Sequence, residues 1–131
     1  MPVFYVPTQR INPQDPTAPK KFYARAKHIQ TIGLRQLAKE LAARSTTASE
    51  GDVYAVLIGM FDLMREHLGR SNKIHIEGLG TFSISIASSG ADTEDKLTVA
   101  NIKGYRLTFQ PEGEMKHFTS GLTAQKFTTK K

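Results

Sequence analysis

The sequence has 131 residues, 18 Lys and Arg against 12 Asp and Glu, a formal net charge of +6 and no cysteine. That length supports one domain with appendages and a modest core, and the missing cysteines exclude a disulfide framework or a thiolate metal site. The longest apolar run, Val53–Ile58, falls far short of the ~18 residues that cross a membrane. Pro2, Pro7 and Pro13 interrupt the stretch where a signal peptide needs an apolar core, so the chain reads as cytoplasmic.

The charge is unevenly spread. Residues 1–33 carry five basic residues (Arg10, Lys20, Lys21, Arg25, Lys27) against Asp15, a net +4. Residues 34–87 balance at six of each sign, residues 88–104 come to −1, and residues 105–131 to +3. A basic excess outside a neutral centre points to a polyanionic partner, of which nucleic acid is the most common.

In chain order, Val3–Gln9 and Phe22–Ile29 are strand-capable, and the intervening Ile11–Pro19 holds three prolines and is expected to be a loop. The reading is a β-hairpin with a long Pro-rich loop, whose Phe4, Tyr5, Phe22 and Tyr23 pack it onto a body more often than they stack on bases. Leu34, Leu37, Ala38, Leu41 and Ala42 then repeat at helical spacing in one stripe, with Thr31 in reach to cap the first turn. After a turn at Ser45–Ala48, Ser49 stands three residues before Asp52 at capping-box spacing.

A second helix follows with Val53, Val56, Leu57, Met60, Phe61, Met64 and Leu68 on one face, widened by Tyr54, Ile58 and Leu63. At roughly 100° per residue its apolar arc spans about 220°, twice the stripe of an ordinary surface helix. One small chain has little to cover both sides, so a partner chain is the simplest cover. Val53, Leu57, Met60, Phe61 and Met64, with Phe82 from the following sheet, form the expected dimer core. The two helices are not read as a DNA-reading helix-turn-helix, because inserting so apolar a second helix into a groove would expose a core. Arg65 and Arg70 at its end complement the helix dipole, whereas Lys73, at the start of the next strand, is a better phosphate ligand.

Lys73–Glu77 alternates, with Ile74 and Ile76 on one face; Gly78-Leu79-Gly80 supplies a tight reversal; Phe82, Ile84 and Ile86 continue the apolar face. A long helix followed by I-x-I-x-G-x-G-T-F (Ile74, Ile76, Gly78, Gly80, Thr81, Phe82) resembles the bacterial HU/IHF histone-like DNA-binding proteins, over about residues 34–118. The resemblance implies an α+β fold: an intertwined dimer with a two-helix base, an antiparallel sheet with a β-arm, and a short C-terminal helix. It also implies double-stranded DNA as partner, minor-groove contact and a place in the nucleoid.

Against that pattern, residues 1–33 are an N-terminal extension that adds an edge strand, lengthens the DNA-contacting surface, or does both. The family's arm is arginine-rich and carries a proline wedge. The corresponding Ser88–Thr98 has no Pro, no Arg and three acids (Asp92, Glu94, Asp95), which argues against strong kinking of DNA. Val99–Lys103 resembles the return of the arm, broken at Gly104. Tyr105, Leu107 and Phe109 then alternate with Arg106, Thr108 and Gln110, leaving one sheet face for a ligand. Phe109–Lys116 resembles the family's F-x-P-G-x-x-L-K ending with its glycine one place late, and residues 119–131, with Lys126, Lys130 and Lys131, resemble a loose basic tail.

No catalytic constellation emerges. His28, His67, His75 and His117 are scattered without metal-ligand spacing, and Gly78-Leu79-Gly80 lacks the third glycine of a nucleotide loop. The sequence therefore reads as a sequence-tolerant, non-enzymatic DNA-binding protein without cofactor, metal or small-molecule substrate, working as a homodimer or a heterodimer. Its phosphate ligands are expected among Arg10, Lys20, Lys21, Arg25, Lys27, Lys73, Lys96, Lys103 and Arg106. One rival keeps the dimer as a protein-interaction module with weak or no DNA binding; another is a small enzyme built on His75 and Glu77.

Overall fold

The structure, a computed structural model, describes residues 2–45 and 47–129. It comprises two compact units. One joins the chain ends, residues 1–32 and 118–131; the other is the continuous segment Gly33–His117.

In the terminal unit, β1 (Pro2–Arg10) pairs antiparallel with β2 (Lys21–Ala26), from Tyr5 opposite Ala26 to Arg10 opposite Lys21. Between them Asp15 holds a turn by accepting from the Thr17 hydroxyl (2.7 Å) and amide (3.2 Å). These bonds, the hydroxyl's first, hold the Asp15 carboxyl below its usual range.

The expectation of a loose tail from residue 119 does not hold through Lys126. Phe118–Gly121 is a 3₁₀ turn, and a further strand, Thr123–Lys126, runs parallel to β1 from Pro2 opposite Thr123 to Tyr5 opposite Lys126. β1 thus receives main-chain partners along both edges. Phe127 lies edge-on to Phe4 (6.0 Å between centroids), and the Lys27 ammonium sits 5.6 Å over its ring. Lys130 and Lys131 lie outside the described residues.

In the central unit, α1 (Leu34–Ser45) begins one residue after Gly33, whose carbonyl accepts the first helical bond from Leu37. Thr31 therefore stands too far upstream to be the cap. α2 (Glu50–Gly69) starts at Ser49, whose hydroxyl accepts from the Asp52 amide at 3.2 Å; such caps contribute about 1 kcal/mol. Arg35 of α1 stacks 4.7 Å over the Tyr54 ring of α2. At the far end Ser71 takes φ 65°, and the Arg70, Ser71 and Asn72 amides close the helix on the His67 and Leu68 carbonyls.

The chain then forms a sheet in the order β3 (Ile74–Ile76), β4 (Gly80–Ser88), β5 (Ile102–Pro111), all antiparallel. Its register sorts the side chains. Phe82, Ile84 and Ile86 face Phe109, Leu107 and Tyr105 across one side, where Phe82 and Phe109 stack at 4.7 Å; Thr81, Ser83 and Ser85 face Gln110, Thr108 and Arg106 across the other. Gly104 does not break the return strand: it pairs with Ala87 inside β5, and the 3₁₀ turn at Val99–Asn101 precedes it. A short helix α3 (Glu114–His117) ends the unit, entered through Gly113 at φ 58°. A side chain there would crowd the Gly78 backbone at 3.3 Å, so the displaced glycine of the ending motif still serves a backbone approach.

Among the described residues Ala38 is the sole buried hydrophobic side chain, and α2 contains no buried residue at all.

Candidate nucleic-acid interface

Only one of the two units is basic. Residues 1–32 and 118–131 hold eight Lys or Arg against Asp15, a net +7, whereas Gly33–His117 holds ten against eleven acids, a net −1. The total of +6 is thus carried by the terminal unit, a division hidden from windows drawn along the sequence, because the last segment folds back onto the first.

The β1–β2 register places Arg10 directly across from Lys21, and Tyr23 and Arg25 follow Lys21 at two-residue steps on the same sheet face. Arg10, Lys21 and Tyr23 line an open hollow of about 560 Å³, closed on one side by the loop residues Ile11, Asn12 and Pro13. Lys27 is engaged at Phe127. Lys126, expected in a tail, is a strand residue opposite Tyr5. Of the four hairpin aromatics assigned to packing, Phe4 and Tyr5 are half-buried, but Phe22 and Tyr23 are 68% and 50% exposed. No local sequence signal separates these pairs; burial of the first depends on a strand more than 100 residues away.

In the central unit Lys103 is the extra residue of a β-bulge, between Ile102 opposite Ser88 and Gly104 opposite Ala87. Bulges re-aim side chains at the ends of ladders. Arg106 lies on the polar sheet face opposite Ser85. Lys73, just ahead of β3, lines a hollow of about 260 Å³ with Ser83, Ile84, Ile86 and Tyr105. Lys96 stands in a 3₁₀ turn directly after Glu94 and Asp95.

The acidic connection between β4 and β5 is folded rather than extended. The Ser89 amide donates to the Asn101 carbonyl (2.8 Å), the Asn101 side-chain amide to the Ser89 hydroxyl (3.1 Å), and Thr98 and Asn101 form a capping box.

His75 is bonded to Glu112 rather than to Glu77. Its Nε2 lies 2.7 Å from one Glu112 oxygen, while the Thr81 hydroxyl donates to the other at 2.8 Å. The His75 bond first, then the Thr81 bond, hold the Glu112 carboxyl below its usual value of 4.5. The bridge spans β3, β4 and the residue after β5, which is a structural use for this His–carboxylate bond.

A carboxyl whose folded-state pKa is depressed adds stability that is present above the unfolded value and disappears as pH falls through the folded one. Glu112→Gln is therefore expected to lower the urea midpoint at pH 7 and to differ less from the parent at an acid pH below the usual carboxylate range. A deficit of the same size at both pH values would assign the loss to packing instead. Among the described residues no cluster of His, Asp or Glu could hold a metal ion, and no helix is long and apolar enough to cross a membrane.

The family model described as an HU domain fused to a winged helix-turn-helix, Ig or glycine-rich motif (HU-HIG) matches residues 1–126. The chain belongs to the HU-HIG family. The match takes in the terminal sheet as well as the central unit, so the basic hairpin and its returning strand lie within the family's pattern.

Two solved structures show the same fold. Anabaena HU, crystallised with DNA, is 13% identical and aligns over 68% of this chain and 98% of its own, with a TM-score of 0.53. A candidate DNA-binding protein from Bacteroides vulgatus is 8% identical and aligns over 95% of this chain, with a TM-score of 0.66. The HU-HIG chain spans 47% of the length of that second protein. No curated protein matches the sequence.

Proposed function

We propose that this HU-HIG chain is a sequence-tolerant DNA-binding protein of the bacterial nucleoid, acting as a dimer and holding duplex DNA through phosphate and minor-groove contacts. The observation that carries the reading is the HU-type fold, shared with an Anabaena HU that was crystallised with DNA. The net charge of +6 agrees with a polyanionic ligand. Residues 34–118 supply the HU-type framework, with Lys103 and Arg106 at the root of the β4–β5 connection placed against phosphate. Arg10, Lys20, Lys21 and Arg25 of the terminal sheet extend the contact. Lys73 and Lys96 join them, and Lys27 contributes less, because its ammonium sits over the Phe127 ring. Binding of this kind needs no cofactor and no catalytic group.

The groove between α1 and α2, about 390 Å³ and lined by Leu34, Leu37, Leu41, Leu57, Met60 and Phe61 with Glu40 and Arg44, supports the dimer. A second copy offers the same apolar face, as a two-fold interface requires.

The test is fluorescence anisotropy of a labelled duplex over roughly 50–200 mM salt, where neutralising about four phosphates lowers affinity on the order of 100-fold. Unrelated duplex sequences are expected to bind alike. Neutralising Lys20, Lys21, Lys103 and Arg106 together is expected to flatten the slope by about one for each phosphate left without its cation. A dimeric protein that ignores duplex at the low-salt end would sink the DNA reading. It would favour the second reading, an HU-type protein-interaction module, for which the folded, Pro-free connection with Asp92, Glu94 and Asp95 speaks.

A further inference from the structure

We infer that the terminal sheet carries a binding site for single-stranded nucleic acid, centred on Tyr23 and flanked by Arg10, Lys21 and Arg25. This site shares Arg10, Lys21 and Arg25 with the duplex contact proposed above, adds Tyr23 to them, and does not require that duplex is bound there.

Three observations converge on it. Tyr23 is half exposed, and its ring lines the hollow with Arg10 and Lys21 rather than packing into a core. The volume, about 560 Å³, lies within the roughly 300–1,000 Å³ of clefts that hold small ligands. Lys21, Tyr23 and Arg25 occupy successive same-face positions of β2, about 6.6 Å apart at each step, so cation, aromatic and cation alternate at a pitch that an extended polynucleotide strand spans per nucleotide.

The electrostatics favour a polyanion without opposition. The only acidic side chain of this unit, Asp15, is held in its own loop by Thr17. Phosphates beside Arg10, Lys21 and Arg25 meet no carboxylate on that face of β1 or β2.

The aromatic decides between single and double strands. Duplex bases are already stacked and paired, and a duplex would present phosphates to the three cations while leaving Tyr23 idle. An unpaired base can lay its π face on the ring, a contact worth about 1–3 kcal/mol per base and available to any base. The preference is therefore for unpaired strands, without base readout.

The experiment measures binding of the full chain to a labelled oligothymidylate and, separately, to a labelled duplex, for the parent, Tyr23→Ala and Tyr23→Phe. Tyr23→Ala is expected to weaken oligothymidylate binding by about 5- to 150-fold, the stacking range converted to affinity, with duplex affinity unchanged and Tyr23→Phe close to the parent. The inference is overturned if the parent ignores oligothymidylate, if Tyr23→Ala binds it as tightly as the parent, or if single-strand and duplex affinities fall by the same factor. Loss of duplex binding alone would count against the architectural reading and leave this site standing.

Discussion

Phe61→Glu is expected to abolish the dimer and, with it, most of the ordered structure. Phe61 is 38% exposed, and it shares its groove with Met60 at 40%, Leu37 at 50% and Leu41 at 49%. If the chain worked as a monomer, a carboxylate at such a solvent-facing position would be nearly neutral, within about 0.5 kcal/mol. If a second copy covers the groove, the same carboxylate is buried without a partner at a cost of several kcal/mol. Two-fold symmetry incurs it twice, which rivals the roughly 5–15 kcal/mol that typically separates folded from unfolded protein. Sedimentation equilibrium and far-ultraviolet circular dichroism distinguish the cases. A folded monomer melting at the parent's temperature would remove the dimer from the proposed function; a disordered or dissociated chain agrees with it. Leu57→Glu, on the same groove, is expected to behave alike.

The second large effect is at the bend. Gly80 takes φ 152°, and a Cβ there would lie 2.3 Å from the Gln110 carbonyl oxygen, 2.7 Å from Phe109 Cε2 and 2.9 Å from the Pro111 Cα. Two of those three are backbone atoms of the neighbouring strand, which cannot step aside without opening the β4–β5 ladder. Gly80→Ala is expected to cost about 3 kcal/mol or more, strain and overpacking together. Gly78 is the internal control: its φ is 80°, but open space surrounds the added methyl, so Gly78→Ala carries only the left-handed penalty of about 1–2 kcal/mol. Urea midpoints of the two variants give the comparison. An equal or smaller loss at Gly80 would show that the strands separate easily there.

These two sites also show how far local reading reaches. The cap at Ser49, the extent of α2 and the glycine bend are set by residues within a few positions of one another, so spacing alone exposes them. The over-wide apolar face of α2 is legible for the same reason, and in the folded chain that helix has no buried residue. What local reading missed depends on partners far along the chain. Thr123–Lys126 has a basic, Thr- and Gly-containing neighbourhood that reads as a tail; it becomes a strand because the exposed edge of β1 accepts it. Tyr23 looks like Phe4 in sequence, and only Phe127 distinguishes the packed ring from the free one. The pairing of His75 with Glu112 instead of Glu77 likewise needs β5 to return beside β4.

For this protein, then, the amino-acid sequence by itself determined the elements: a capped α2 with too much apolar surface, an alternating strand pair around Gly78 and Gly80, an acidic connection without a proline, and an overall positive charge. Periodicity, capping and glycine conformations are short-range properties, written where they act. The tertiary structure decided where the charge resides and which aromatic is free. Both follow from bringing residues 1–32 and 118–131 into one sheet, which sets +7 apart from a central unit of −1 and leaves Tyr23 beside Arg10 and Lys21. Strand pairing across so long a loop is selected by the whole chain's burial and hydrogen bonding, and no window of the sequence contains both partners.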